Sequence, residues 1–434
     1  MSDHFNMTRR GIIASMATAG LAASTLGRAA LAAPGKAQAY RAIRYGRAER
    51  FGQAELVPFH EGLIQRERGA IPPQLPSRLA ISNGPQAPNR QDENCQLLSV
   101  FTPSRTGKRP VMIFLHGGAF ITGGGELPWY DGDKLAAEQD IVVVPVSYRL
   151  GAFGFWLPNG SKGVPPSYSD MIVALQWVKQ NIAKFGGDPD NVTIAGQSAG
   201  AVAARGLTDW GYGQTYFQRI VPQSGPSLRV ERSEMEDHSR KFDALLGQDP
   251  HTAPIEAILA AQVALTKQRG GDPGWRPVKP DTIAAFNVDI LAGWTREESS
   301  AGMLLAQGKK PAPGLPLEAA RERALQSLGK PTIALGIEAA QAGRTSYLYS
   351  FDWNGPDTGL GNCHCIDMPF LFGDRDAWQA APMLAGVDWA DQDRLGRLMR
   401  AQWAAFARSG NPNVQGGPSW TPVSADATPI TSLA

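Results

Sequence analysis

The stretch that decides the fold is Asn191–Gly200, NVTIAGQSAG. Val192, Thr193 and Ile194 are β-branched and favour a strand. Gly196-Gln197-Ser198-Ala199-Gly200 follows directly and fits G-x-S-x-G, and the small residues Ala201, Ala203 and Ala204 open a helix behind it. A strand that turns at once into a helix lifts the central serine hydroxyl above the sheet edge. The turn crowds backbone against backbone, so a side chain larger than alanine at 196, 199 or 200 would clash. Glycine makes up 48 of 434 residues, so the five-letter pattern alone arises by chance about 0.3 times in such a chain. The strand before it and the helix after it give it meaning.

Upstream, Val111–Leu115 (VMIFL) is an apolar run of the buried-strand type. Ile141–Tyr148 (IVVVPVSY) is another, and Asp133–Glu138 between them reads as a helix. Asp170–Phe185 carries Ile172, Leu175, Trp177, Val178, Ile182 and Phe185 at near-helical spacing, closed by Gly186-Gly187. Strands and helices that alternate through short turns predict a mostly parallel α/β sheet with helices on both faces. Cys95–Phe101 reads as an earlier strand, and the Pro- and Gly-rich stretch 69–90 as surface loop. Downstream strands are expected at Ile220–Gln223, Val288–Ala292 and Tyr347–Phe351. The polar helical segments Ser233–Leu246 and Thr252–Lys267 read as caps over the sheet, and Leu395–Arg408 as an amphipathic C-terminal helix. With no repeat and no long linker, one catalytic domain is expected over 40–434.

A net charge of +2 gives no sign of a nucleic-acid partner. Three cysteines cannot make a disulfide framework. No run past the N-terminus is long and apolar enough to anchor the chain in a bilayer. Residues 1–39 read as an export signal of the twin-arginine type. Thr8-Arg9-Arg10 precedes a weakly apolar run, Gly11–Leu26, and Ala-x-Ala sites end at Ala32 and Ala39. The expected location is periplasmic or secreted.

A serine hydroxyl needs a base, usually histidine, and a carboxylate that holds that histidine in the right tautomer. It also needs N–H donors aimed at the oxyanion. His116-Gly117-Gly118-Ala119, at the C-terminal end of the VMIFL strand, fits a glycine-rich oxyanion loop, with His116 bracing the turn. Of the six histidines, His4 lies in the leader, His60 precedes the first strong strand, and His238 and His251 sit in charged, solvated-looking segments. His364, in a loop after the late strand Tyr347–Phe351, is the candidate base. The acid should lie between Ser198 and His364 at a strand end. Gly293–Ser299 (GWTREES) offers Glu297 and Glu298, between which composition does not choose.

The blocks HGGAF (116–120), SYRLGAFGF (147–155), ALQWVKQNIAKFGGDPDNVTIAGQSAG (174–200), CHCIDMPFLFG (363–373) and FARSGNPN (406–413) resemble the type B carboxylesterases. That resemblance covers nearly all of 40–434. It implies an α/β-hydrolase fold and cleavage of small-molecule carboxylic esters through an acyl-enzyme, with no cofactor and no metal. It implies Glu298 rather than Glu297 as the acid, and His364 as the base. The oxyanion donors would be Gly118, Ala119 and Ala199, with Gly117 and Gln197 beside them. Ser224 would be bonded to Glu298 as an orienting group, and Glu93 would form a buried ion pair with Arg149. Gln197 stands where the family usually has glutamate, which removes a negative charge and weakens any preference for cationic substrates. The family's first disulfide has no partner for Cys95, and Cys363 and Cys365 are too close for an unstrained bridge, so free thiols are expected. The segment between Glu298 and Tyr347 is short for the family, which implies a reduced helical cap and a more open gorge. An amide, lactone or thioester hydrolase of the same fold is the alternative chemistry. A non-catalytic, neuroligin-like binding module is the alternative class. The oligomeric state is left open.

Overall fold

The computed structural model describes residues 37–434 apart from 66, 226 and 227. The leader-like segment therefore lies outside the described residues except for 37–39.

Nine strands form the main sheet: β1 Gln38–Arg44, β2 Leu97–Thr102, β3 Arg109–Leu115, β4 Val142–Val146, β5 Gly187–Gln197, β6 Arg219–Gln223, β7 Asp289–Thr295, β8 Ser346–Phe351 and β9 Ile430–Leu433. Their order is β1-β2-β4-β3-β5-β6-β7-β8-β9. β1 and β2 are joined antiparallel, and β2 joins β4 antiparallel. Every pairing from β4 to β9 is parallel. The helices that matter here are α1 Asp133–Gln139, α2 Pro166–Asn181, α3 Ala199–Asp209, α4 Arg232–Leu246, α5 Ile255–Gln268, α6 Lys330–Gln341 and α7 Trp389–Ser409.

The period-two alternation of β3 divides the core. Val111, Ile113 and Leu115 pack into one apolar cluster, Met112 and Phe114 into another. The first cluster takes Ile172, Leu175 and Trp177 of α2 and Ala203, Ala204 and Leu207 of α3. The second takes Leu135 of α1 and Leu395, Met399, Trp403 and Phe406 of α7. Helices thus cover both faces, which is why strands β3 and β4 read as unbroken apolar runs.

α7 begins six residues earlier than its apolar pattern, because the Asp388 carboxylate accepts the Ala390 N–H at 2.9 Å and caps the helix. Several elements escaped the sequence reading, among them β1. β9 is a four-residue edge strand, and α6 follows a short helix, Glu318–Ala324, in the segment between Glu298 and Tyr347. α4 and α5 do cap the first cluster, through Met235, Phe242, Ile258 and Leu265.

The expected ion pair between Glu93 and Arg149 is not formed. Arg149 grips Asp170 of α2 instead, Nε to Oδ2 at 2.9 Å and Nη2 to Oδ1 at 2.8 Å. Asp170 is fully buried, so it is the partner able to neutralise a buried guanidinium. Glu93 is nearer the surface and pairs with Arg50, whose Nε donates to Oε2 at 2.8 Å. His238 is not solvated. It is 4% exposed and packs edge-on to Trp275 at 4.4 Å. It lies three residues after Met235 and four before Phe242, on the buried face of α4. All three cysteines are buried free thiols, as expected. Among the described residues no helix is long and apolar enough to cross a membrane.

Candidate active site

β5 delivers Gln197 at its end, and Ser198 turns the chain into α3 with φ 54° and ψ −117°. A non-glycine residue at positive φ is strained, and surrounding structure must hold it there. The Ser198 N–H donates to the Gln223 carbonyl of β6 at 2.8 Å, which clamps the turn from the next strand. The small residues are a steric requirement. A Cβ on Gly196 would lie 2.4 Å from the Gly200 carbonyl oxygen, and a Cβ on Gly200 would lie 1.9 Å from that of Leu115. Ser198 stays partly exposed while its neighbours Gln197 and Ala199 are buried.

The loop after β3 lies against this elbow, since a Cβ on Gly117 would fall 2.4 Å from Gln197 Oε1. Gly118 and Ala119 both take positive φ, 116° and 54°. Gly118 is half-buried and Ala119 exposed. Ala199 opens α3, where an N–H has no partner within the helix. His116 braces the turn as expected. It is fully buried, stacks on Tyr148 at 4.3 Å, and its Nδ1–H donates to the Gly117 carbonyl at 2.8 Å. Burial pushes its pKa down to about 4, which keeps the ring neutral.

His364 and Glu298 meet although 66 residues separate them, with Nδ1 2.5 Å from Oε2. The other Glu298 oxygen accepts the Thr295 N–H at 2.9 Å. Glu297 points elsewhere. It accepts from Arg296 at 2.7 Å, from Arg321 at 2.6 Å and from the Asn362 N–H at 2.7 Å. Burial would raise its pKa, but these donors outweigh burial and hold it below the usual carboxylate value. Of the two glutamates, Glu298 is the one that meets His364. Burial opposes the charged form of His364, yet the Glu298 charge and hydrogen bond win and raise its pKa above 6.5.

With its Nδ1 proton on Glu298, His364 presents an Nε2 lone pair to the elbow. That lone pair accepts the Gln197 Nε2–H at 3.2 Å. Among the described residues the Ser198 hydroxyl makes no side-chain hydrogen bond of its own. The imidazole thus sits against Gln197, the residue next to Ser198. Such contacts commonly tighten only when substrate binds.

Ser224 does not bond to Glu298. The Glu298 oxygens meet the Thr295 N–H and His364 Nδ1 instead, and the Ser224 N–H is held by the Gly293 carbonyl at 2.8 Å with φ 54°. Its buried hydroxyl has no partner among the described residues. The group that sequence reasoning missed is Asp367. It is fully buried, and its Oδ2 accepts from Gln223 Nε2 at 2.8 Å. Burial and the nearby Glu298 charge raise its pKa to about 7. Its signal was present in the sequence, three residues after His364, but nothing there indicated that it faces the acid. Among the described residues no cluster of metal-ligating side chains occurs.

A strained serine, a carboxylate–imidazole pair against the neighbouring Gln197 and a glycine-rich loop packed on the elbow make a constellation suited to acyl transfer. The comparisons agree with it. The profile of the Carboxylesterase family matches residues 26–250 and 326–434. The chain is 34% identical over 409 residues to a probable N-octanoylanthranilate hydrolase of Rhodococcus erythropolis, covering 87% of this chain and 90% of that one. It is 31% identical over 401 residues to the para-nitrobenzyl esterase of Bacillus subtilis, covering 80% of each. In solved structures, a thermophilic PNB esterase superposes with a TM-score of 0.78 at 24% identity, over 92% of both chains. A carboxylesterase of Geobacillus stearothermophilus gives 0.75 at 25% identity, over 92% of this chain and 93% of that one. The chain belongs to the carboxylesterase family, with the α/β-hydrolase fold, and is a carboxylic ester hydrolase of the type B group.

Proposed function

We propose that Ser198 is the nucleophile, His364 the general base and Glu298 the carboxylate that orients it. The hydroxyl attacks the ester carbonyl as its proton passes to His364 Nε2. The N–H groups of Gly118, Ala119 and Ala199 receive the oxyanion, and His364 then protonates the leaving alcohol. Water, activated by the same imidazole, releases the acid. The observation that carries this reading is the 2.5 Å contact of His364 Nδ1 with Glu298 Oε2, which fixes the tautomer and aims Nε2 at the elbow. The decisive test is Ser198→Ala. It should lower turnover of a chromogenic ester by at least about 10⁴-fold and abolish labelling by a phosphonate. An active variant would end the assignment.

The substrates are small-molecule esters. One relative is named for an N-acyl anthranilate, in which the scissile bond is an amide, so matched anilides belong in the same assay. The twin-arginine reading of 1–39 makes the enzyme periplasmic or secreted. β1 begins at Gln38, and Gln38 and Ala39 pair with Thr102 and Phe101. Cleavage after Ala32 leaves that strand whole, whereas cleavage after Ala39 would remove its first two residues, so Ala32 is the better site. Replacing Arg9 and Arg10 by lysine should retain the precursor in the cytoplasm, read by cell fractionation. N-terminal sequencing of the exported form identifies the cut.

A further inference from the structure

α3 contains an anomaly. Every residue of this helix is buried, yet one of them is Arg205. A buried guanidinium requires partners, and Arg205 has two. Its Nε donates to Asp209 Oδ1 at 2.8 Å, and its Nη1 and Nη2 grip Glu338 of α6 at 2.8 and 2.7 Å. Arg229 adds a second guanidinium, bonded through Nη1 to the other Asp209 oxygen.

These groups form one wall of a cavity of about 160 Å³ between α3 and α6. The remaining lining is apolar, with Ala201 and Val202 of α3, Leu335 of α6 and Leu228, which is 39% exposed. The lining of the cavity starts at Ala201, just past the elbow. Ala201 lies one helical turn past Ser198, and Pro222 and Gly225 flank the Gln223 that clamps the elbow. Arg205 is seven residues along α3 from Ser198, about 10 Å at 1.5 Å per residue. A void of about 150 Å³ holds a benzene-sized group, so this space fits one arm of an ester of roughly six carbons and not a whole ligand.

We propose that this cavity receives one arm of the ester and that Arg229, with Arg205, selects arms ending in a carboxylate. This rests on the Ser198 ester-hydrolase reading. The two acids already present differ in their hold. The Asp209 side chain is 2% exposed and shared by both arginines, so it stays. Glu338 is 49% exposed and comes from another helix, so an incoming carboxylate can replace it at the Arg205 fork. Arg229 uses one nitrogen on Asp209 among the described residues, and its side chain is 22% exposed. A guanidinium with N–H groups to spare suits a carboxylate in two-point contact.

The carboxylate can arrive on the acyl or the alcohol side, and two matched pairs separate these. One pair is the 4-nitrophenyl ester of hexanoic acid against the 4-nitrophenyl monoester of adipic acid. The other is hexyl acetate against the acetate ester of 6-hydroxyhexanoic acid. For the side that enters the cavity, Arg229→Gln should lower kcat/KM of the anionic member about tenfold, mostly through KM, and leave the neutral member unchanged. Glu338→Gln, which removes the competing carboxylate, should move the anionic member the opposite way. The second variant guards against a fold lost on removing Arg229. If both variants move the anionic and neutral members equally in both pairs, the arginines only strap α6 to α3 and the proposal falls. If wild-type enzyme cleaves none of the neutral esters, the underlying ester-hydrolase reading fails instead.

Discussion

His364, the proposed base, carries a pKa raised by Glu298, and in that role it would set the acid side of the pH profile. The base must be neutral to accept the serine proton, and a raised pKa keeps it protonated to higher pH. Accordingly kcat/KM should climb with pH through a titration above the 6.5 of an ordinary imidazole, then level off. A pH profile measured with a neutral ester checks this. Asp367 adds to the same field, since its negative charge also raises the pKa of His364. Asp367→Asn keeps a group of the same shape opposite Gln223 and removes the charge. The acid limb should shift to lower pH while turnover on the plateau changes little. A limb that stays in place would mean that Asp367 remains protonated throughout. Glu297 and Glu298 show how fine this scale is. Adjacent in the chain, one is held by two arginines and an amide N–H, and the other meets the imidazole.

At the scale of the element, the elbow works because three segments press together there: the end of β5, the start of α3 and the end of β3. Gly200→Ala tests this most directly. Its Cβ would sit 1.9 Å from the Leu115 carbonyl oxygen and 2.8 Å from that of His116, both backbone atoms with nowhere to go. Either β3 or α3 must shift. Overpacking of this kind costs about 1–3 kcal/mol or more, and the oxyanion loop follows β3 directly. Thermal unfolding should show a lower Tm, and activity should fall further than the stability loss accounts for. Most elements here announced themselves by periodicity: β3 and β4 as apolar runs, and α2 by its spaced Trp177 and Phe185. α6 and β9 did not. β9 is four residues long and only its last residue is buried. α6 sets only Ala339 fully in the core, with Ile333, Leu335 and Ile337 half-buried against it, and is tied to α3 by Glu338.

Across the whole molecule, buried ion pairs join parts distant in sequence. Arg149, just past β4, is fixed by Asp170 of α2, and Arg400 of α7 by Glu138 of α1. Breaking one of these leaves an uncompensated buried charge. Asp170→Asn should lower stability by about 3–5 kcal/mol, read as a shift of the denaturation midpoint with little change in its slope. A loss under about 1 kcal/mol would mean that water reaches Arg149.

The amino-acid sequence by itself determined the alternation of strands and helices, the serine turn with its small neighbours, and the glycine-rich loop after β3. Each of these is specified by residues next to one another, through side-chain period and backbone sterics. Partnership across the fold was decided by tertiary structure alone. It set Asp170 rather than Glu93 against Arg149, left Ser224 without Glu298, buried His238, placed Asp367 behind the acid, and put Gln197 on the lone pair of His364. Those contacts depend on where separate helices and strands come to rest, and a charge finds the partner that packing brings within reach, not the one that sequence order suggests.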